Sequence, residues 1–192
     1  MGNIIFKPWV GDNYRSTSKK IFILGESHYG ESSIEDNPDF TSGIVESFLG
    51  FKAGKHDHEH WMNTFTRFTN VVHDQTLEVG AITSFWQSIV FYNYIQKAIE
   101  GPRVSPSEQD FENSLKALVE IITEYQPNLI IIWGQRLWES LPNELFKYDK
   151  ESNSYFLEIQ DNRIDVLWIY HPSSRYFNYG YWKELGFNLF TR

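Results

Sequence analysis

The chain has 192 residues, a formal net charge of −8 and no cysteine. The lack of cysteine excludes disulfides, thiolate nucleophiles, cysteine-ligated zinc and iron–sulfur clusters. The acidic balance argues against a general nucleic-acid coat protein, because non-specific affinity for DNA comes from neutralising phosphates with Lys and Arg.

Four short apolar runs predict buried parallel strands. Such strands read as continuous apolar runs because both faces of the sheet are covered. The runs occupy residues 21–24, 89–92, 129–133 and 166–170. Helical segments separate them, so right-handed crossovers should place helices on both faces of the sheet. The expected fold is therefore α/β, a three-layer α/β/α sandwich with a four-stranded parallel sheet, formed by one domain over residues 1–192.

The clearest helix start is the sequence Ser105-Pro106-Ser107-Glu108. Ser105 is expected to cap the helix, Pro106 to take the first helical position and Glu108 to reach back to the cap amide. The helix should end before Pro127, because a residue that precedes proline disfavours helical backbone. Other patterns predict helices at 61–78, 136–141 and 179–189, a short edge strand at 155–159 and a polar loop at 52–60.

The apolar runs stop at residues with distinct chemistries. Glu26 comes after the first run, Asn93 after the second and His171 after the fourth. The carboxyl ends of parallel strands gather at one sheet edge, where open α/β sheets bind ligands, so these side chains should lie close together. A carboxylate, a carboxamide and an imidazole at one edge are suited to the removal of a base from a nucleoside.

These motifs, in this order, resemble the uracil-DNA glycosylase superfamily over about residues 20–178. The chain departs from that family at Ser27, where one branch has a water-activating Asp, and at His28, where nearly all members have Pro. The similar segments are residues 25–29 (the first motif), Phe91-Tyr92-Asn93 (the strand that ends in the base-reading Asn), residues 127–134 (the third strand and its glycine) and Tyr170-His171-Pro172-Ser173 (the leaving-group loop).

The resemblance implies a monofunctional DNA glycosylase, without cofactor or metal, that hydrolyses the N-glycosidic bond of a flipped pyrimidine and leaves an abasic site. Glu26 would hold a water and stabilise the oxocarbenium-like sugar, and His171 would donate a hydrogen bond to the pyrimidine O2. Asn93 would read the Watson–Crick edge of the base. The other base-binding residues would be Gly25, Ser27, His28 and Tyr29, and the DNA-binding loop would comprise Ser173, Ser174, Arg175 and Tyr176.

The sequence leaves the excised base open. Uracil is the default of the family, with Tyr29 resembling the aromatic residue that crowds the pyrimidine 5-position. The altered Ser27-His28 pair leaves room for a modified cytosine, such as glucosylated hydroxymethylcytosine in phage DNA, removed as a defence. Phe48 and Trp86 are further candidates for stacking on the base. Competing classes are a non-catalytic module on the same fold that binds lesions or modified bases, and a hydrolase or nucleotide-binding protein that does not act on DNA.

A polar loop carries three histidines, His56, His58 and His60. They suggest a solvated loop, a loop that touches DNA or a bulky base substituent, or a metal site. His56 and His60 would share one face of a helix, but no third and fourth ligand with metal spacing is evident, so no metal is expected. The expected partner is DNA and not a membrane, because no run approaches the roughly 18 apolar residues of a membrane span. A cytoplasmic monomer is expected.

Overall fold

The computed structural model describes residues 4–73, 76–101 and 104–177. The predicted closing helix at 179–189 lies outside the described residues. The strands are β1 (Trp9–Val10), β2 (Ile21–Gly25), β3 (His28–Tyr29), β4 (Ile89–Asn93), β5 (Ala98–Ile99), β6 (Leu129–Trp133), β7 (Lys147–Asp149), β8 (Ser154–Ile159) and β9 (Asn162–Ile169). The α-helices are α1 (Phe40–Lys52), α2 (Met62–Val72), α3 (Val79–Trp86), α4 (Glu108–Tyr125) and α5 (Gln135–Ser140).

The four strands that the apolar runs predict lie side by side. They are parallel neighbours in the order β4-β2-β6-β9. The expected number of strands needs correction, because the sheet has seven, in the order β1-β4-β2-β6-β9-β8-β7. β1, β8 and β7 pair antiparallel, and β8 covers the predicted edge strand. These outer strands are short or only partly buried, so they lack the continuous apolar run that marks the central strands.

Helices cover both faces of the sheet. Ile21 and Ile23 of β2 pack in a cluster with side chains of α1, α2 and α3. Phe22 and Leu24, which point the other way, pack with side chains of α4. Every residue of β2, β4 and β6 is buried. The covered faces leave the strand ends as the exposed part of the central sheet.

The helix predicted at 61–78 is two helices. α2 ends at Val72, and α3 begins at Val79 after Glu78 takes an extended backbone with a ψ of 152°. The apolar stripe of α2 stops at Val72, and residues 73–78 contain a single apolar residue, Leu77. The segment therefore lacks the face that would keep a helix packed on the core. Within the described ranges, no helix is long and apolar enough to cross a membrane.

α4 begins two residues later than the sequence indicates. Ser107 is its N-cap: the Asp110 backbone N–H donates to Ser107 Oγ at 3.2 Å, and the Ser107 backbone N–H donates to Asp110 Oδ2 at 2.9 Å. This reciprocal pair is a capping box in which Asp110 takes the role expected of Glu108. Ser105, the predicted cap, instead accepts a hydrogen bond from Arg136.

Ser107→Ala is expected to lower the free energy of unfolding by about 1 kcal/mol, because it removes the side-chain half of the capping box. For a chain of this length the corresponding decrease in Tm is about 2–4 °C. Thermal unfolding followed by circular dichroism measures the change, with Ser105→Ala as the matched control. A larger loss for Ser105→Ala than for Ser107→Ala would contradict the observed cap.

Candidate functional site

The polar residues that follow the parallel strands lie at one edge of the sheet. Gly25 at the end of β2 pairs with Asn93 at the end of β4, and backbone hydrogen bonds from the chain after Asn93 extend this contact to Glu26. On the other side, β9 ends beside β6 and leads into His171. Neighbouring strands are about 4.8 Å apart, so the backbones of Asn93 and His171 are about 14 Å apart, with β2 and β6 between them. The space beyond the ends of β2 and β6, between Asn93 and His171, is termed the gap.

Glu26 forms a two-pronged ion pair with Arg136, which no sequence motif assigns to the site. Arg136 Nε donates to Glu26 Oε2 at 2.7 Å, and its Nη2 donates to Oε1. Arg136 is the second residue of α5, which follows β6 through Gly134. Gly134 has a φ of 111°, a conformation that favours glycine, and this turn starts α5 at the sheet edge. The hydrogen bond to Glu26 raises the pKa of Arg136.

Tyr29 is the exposed aromatic residue of the site, with 44% of its surface accessible. Partial burial raises the pKa of its hydroxyl, and the nearby Glu26 carboxylate raises it further. Ser27 Oγ is buried near the Tyr29 hydroxyl, without a hydrogen bond of ordinary geometry to any described residue. Phe48 and Trp86, the other aromatic candidates, are fully buried in the core. Of the three, Tyr29 is the one that is exposed at this edge.

The Asn93 carboxamide lies against two residues of the first motif, His28 and Gly25. Nδ2 donates to His28 Nδ1 at 3.1 Å. Oδ1 faces Gly25, where an added Cβ would lie only 2.1 Å from it. The residue is 7% exposed, so it forms the floor of the site. Gly25 contributes by having no side chain, and His28 sets the orientation of the amide.

His28 is buried and does not line the open edge. Its ring contacts Phe6 and Phe40 edge-on, with centroid distances of 4.8 and 5.1 Å. Asn93 Nδ2 lies 3.1 Å from Nδ1 and 3.4 Å from Nε2 of the ring, and Nε2 also lies 2.9 Å from Thr41 Oγ1. Burial lowers the pKa of His28 to about 3, so the ring is neutral near pH 7. The structure thus places His28 behind Asn93 rather than against a base.

Gly25→Ala is expected to lower the free energy of unfolding by about 1–3 kcal/mol, because the new Cβ overpacks the space beside Asn93. The short Asn93 side chain cannot move aside without losing its bond to His28. Gly43→Ala in α1 is the matched control: nothing lies within 4 Å of its added Cβ, and the change should stabilise the helix by up to about 1 kcal/mol. Thermal unfolding gives the Tm of both variants, and a Tm of Gly25→Ala equal to or higher than that of Gly43→Ala would contradict this contact.

His171 is a neutral hydrogen-bond donor at the opposite side of the gap. Its Nδ1 accepts from the Ser173 backbone N–H at 3.2 Å, with Ser173 Oγ 2.7 Å away. A backbone N–H can only donate, so Nδ1 carries no proton and the neutral ring bears Nε2–H. Burial lowers the pKa of His171 to about 4, an effect that Glu26 opposes and that the guanidinium groups of Arg136 and Arg67 reinforce.

The loop after His171 holds the residues predicted to contact DNA. Tyr176 is 58% exposed, and its hydroxyl accepts a hydrogen bond from Arg175 Nη2 at 2.7 Å. Ser174 Oγ accepts from the Tyr176 backbone N–H at 3.1 Å, and Ser173 is exposed. Phe177 is 4% exposed and packs in the core. Tyr176 is therefore the exposed aromatic residue of this loop.

The three histidines of the polar loop at 52–60 form no metal-binding group with described residues. His56, His58 and His60 are exposed, and His58 Nε2 lies 3.0 Å from Asn63 Oδ1. Among the described residues, no group of three or more His, Asp or Glu side chains is placed to hold a metal ion. The carboxyl edge thus brings together a carboxylate, an imidazole and an amide, and the described part of the chain places no metal-holding cluster beside them.

A shallow polar depression of about 510 Å³ lies at the opposite, amino edge of the sheet. Lys20, Asn128 and Asn162, which line it, stand at the starts of β2, β6 and β9. Asn128 Oδ1 already accepts a hydrogen bond from the Lys20 backbone N–H at 2.8 Å. The depression contains none of the groups described above, so the carboxyl edge is the candidate site.

A scan against protein-family models finds no match to this sequence, and a search of curated proteins finds none either. Function is therefore inferred from the geometry of the carboxyl edge.

Proposed function

We propose that the chain is a DNA glycosylase that hydrolyses the N-glycosidic bond of a pyrimidine nucleotide flipped out of DNA, on a divergent uracil-DNA glycosylase fold with added edge strands. The observation that carries the proposal is the placement of a carboxylate and a neutral imidazole at one sheet edge, Glu26 after β2 and His171 after β9, with β6 between them. Asn93 lies between β1 and β2 in the sheet and completes the set.

Base removal separates charge, and these two side chains match the charges that develop. As the C1′–N1 bond breaks, positive charge grows on the sugar and the bond electrons leave with the base. The Glu26 carboxylate stabilises the sugar and accepts a proton from the water that attacks C1′. His171 donates Nε2–H to the pyrimidine O2, where negative charge collects. The products are a free base and an abasic site.

Asn93 supplies the base-reading group. A flipped base is recognised by hydrogen bonds to its Watson–Crick edge and by stacking on an aromatic side chain. The fixed carboxamide of Asn93 offers one acceptor and one remaining N–H, and Tyr29 offers an exposed ring. Because Tyr29 is not packed into the core, a substituent at the pyrimidine 5-position would meet a side chain that can move. This leaves both uracil and 5-substituted cytosine as substrates to be compared.

The surroundings of the gap are basic although the chain is acidic. The guanidinium groups of Arg136 and Arg67 both lower the pKa of His171, and Arg175 lies on the following loop. Such a local cluster binds phosphates without making the whole protein a general DNA coat. The site residues named here include no lysine that could form a Schiff base, so the abasic strand should stay uncleaved.

The proposal is tested with a panel of oligonucleotides in duplex and single-stranded form. The target nucleotide is uracil, thymine, cytosine, hydroxymethylcytosine or glucosylated hydroxymethylcytosine, and abasic sites are revealed by alkali. We expect an alkali-labile site at one class of pyrimidine and no strand break before alkali. Intact strands throughout the panel would refute the glycosylase proposal. Cleavage of uracil alone points to repair, and cleavage of the glucosylated base alone points to defence against phage.

A second candidate is a non-catalytic module that binds abasic sites or modified bases. The ion pair between Glu26 and Arg136 favours it, because a neutralised carboxylate is a weaker electrostatic catalyst. Such a module would bind modified DNA tightly, leave every strand of the panel intact, and keep its affinity in Glu26→Ala.

A further inference from the structure

Arg136 has hydrogen-bond donors to spare. A guanidinium carries five N–H groups. Nε and Nη2 donate to Glu26, and Nη1 donates to Ser105 Oγ at 2.8 Å. Each terminal nitrogen therefore retains one N–H that has no partner among the residues the structure describes. These terminal nitrogens are the atoms with which arginine grips a phosphate.

The exposed fractions of the two side chains show which of them faces solvent. The Arg136 side chain is 45% exposed, whereas the Glu26 side chain is 11% exposed. The guanidinium thus lies on the solvent side of the carboxylate, and an anion that approaches this edge would meet Arg136 first. A phosphate could bind there without displacing Glu26.

The total charge near the sugar depends on whether an anion is bound on the outer side of Arg136. Glu26 and Arg136 alone sum to zero, which reduces the negative potential that a developing sugar cation would feel. A phosphate on the spare N–H groups restores a net negative charge beside the sugar. The carboxylate would then act at greater strength only when the DNA backbone is in place.

We propose that Arg136 binds a DNA phosphate next to the flipped nucleotide while it remains paired with Glu26, and so couples backbone engagement to catalysis. This inference rests on the function proposed above and assigns a role to a residue outside the resembling motifs. Arg136 is a positioning residue in this scheme, since it acts on the sugar through Glu26. Lysine in its place would keep one charge but would lack the planar fork that bridges two anions.

The test combines one neutral linkage in the DNA with one change in the protein. Duplexes carry the best substrate of the panel and a single methylphosphonate at each linkage near it in turn. Single-turnover excision is measured at saturating enzyme for the wild type, Arg136→Gln and Arg136→Lys. At one linkage we expect methylphosphonate to slow the wild type by about tenfold or more. The same substitution should slow neither variant further.

Arg163→Gln is the matched control. Arg163 is also paired with carboxylates, Asp149 and Asp165, but it lies near the start of β9, away from the carboxyl edge. It should respond to each methylphosphonate as the wild type does. Circular dichroism checks that all variants are folded, and Arg136→Lys provides a second reading if Arg136→Gln is unstable.

The outcomes separate this inference from the function on which it rests. Equal slowing of the wild type and Arg136→Gln by every methylphosphonate would overturn the role of Arg136 while glycosylase activity stands. A methylphosphonate effect on affinity alone, with the saturated rate unchanged, would overturn the coupling to Glu26. No excision by the wild type on unmodified DNA would remove the glycosylase proposal, and this inference with it.

Discussion

Glu26→Gln should slow base excision by about a thousandfold at saturating enzyme, within the range expected when a positioned general base or its charge is lost. Glutamine has nearly the same shape, and its amide oxygen can still accept from Arg136. In the proposed mechanism, the substitution removes the negative charge that stabilises the sugar and the group that accepts a proton from water. Chemistry should therefore suffer while the fold persists.

Glu26→Gln should not weaken DNA binding, although it slows excision. In the wild type, Glu26 offsets the charge of Arg136, which lies at the surface that the DNA backbone approaches in the proposed function. Without that offset, Glu26→Gln should bind DNA as tightly as the wild type or more tightly, with a steeper dependence on salt. Affinity is measured by fluorescence anisotropy across a salt series, and the excision rate by single-turnover assay on the same duplex.

Glu46→Gln is the matched control for this prediction. Glu46 is an exposed residue of α1, so its loss changes the net charge of the protein by the same amount without touching the sheet edge. Its excision rate should equal that of the wild type. Full activity in Glu26→Gln would show that another group supplies the anion, and equal losses in both variants would indicate a general effect of charge.

The central strands could be predicted because their sequence carries the physical signal directly. A strand covered on both faces must be apolar at every position, and the runs that form β2 and β6 satisfy this without interruption. Parallel pairing then fixes where each strand ends, so the meeting of the segments around Glu26 and Asn93 follows from topology. β1 and β7 escape prediction because two or three residues at a sheet edge need no such run.

Arg136 could not be predicted from a motif. Its partner Glu26 is 110 residues away in the chain, and an arginine in the first turn of a short helix has no local feature that distinguishes it from a solvated residue. The one available signal was its position just after the glycine that ends the third apolar run. Pairing between distant residues is decided by the fold and not by local preference.

The role of His28 was hidden for a related reason. The first motif places it one residue from Tyr29, which is exposed, and adjacent residues of a strand point to opposite sides. The rings of Phe6 and Phe40 and the hydroxyl of Thr41 enclose it, and all three come from other segments. A motif shows which residues are adjacent in the chain, whereas burial depends on what packs against them.

His171→Ala should slow excision by about 10²–10³-fold, the usual loss when one preorganised donor to a developing anion is removed. The backbone of the loop should persist, because the Ser174 backbone N–H donates to the backbone carbonyl of residue 171 at 2.7 Å and not to its ring. Affinity for DNA should change little. His60→Ala, in the exposed loop, is the matched control and should keep the wild-type rate.

The pH dependence of the wild type gives a second reading of the same residue. Burial lowers the pKa of His171 to about 4, so the neutral Nε2–H form persists as the pH falls from 8 to 6. An imidazole with its ordinary pKa of about 6.5 would change its charge within that interval. We therefore expect the saturated excision rate to show no histidine titration between pH 6 and 8.

The alternative predicts a different curve. If the imidazolium were the active form, the rate would rise as the pH fell through the pKa of His171, and His171→Ala would abolish that rise. The same lowered pKa affects folding. Below about pH 6.5 the His171 side chain becomes protonated in the unfolded chain, whereas in the folded chain it stays neutral until about pH 4. The free energy of unfolding therefore falls as the pH decreases across this window. His171→Ala should make that part of the stability profile less steep, and the lowered pKa of His28 should account for slope that remains. If His171 is neutral in the folded protein, the excision rate should not depend on pH between 6 and 8, and the stability should fall below pH 6.5. If His171 is protonated there, the rate should depend on pH and the stability should not fall.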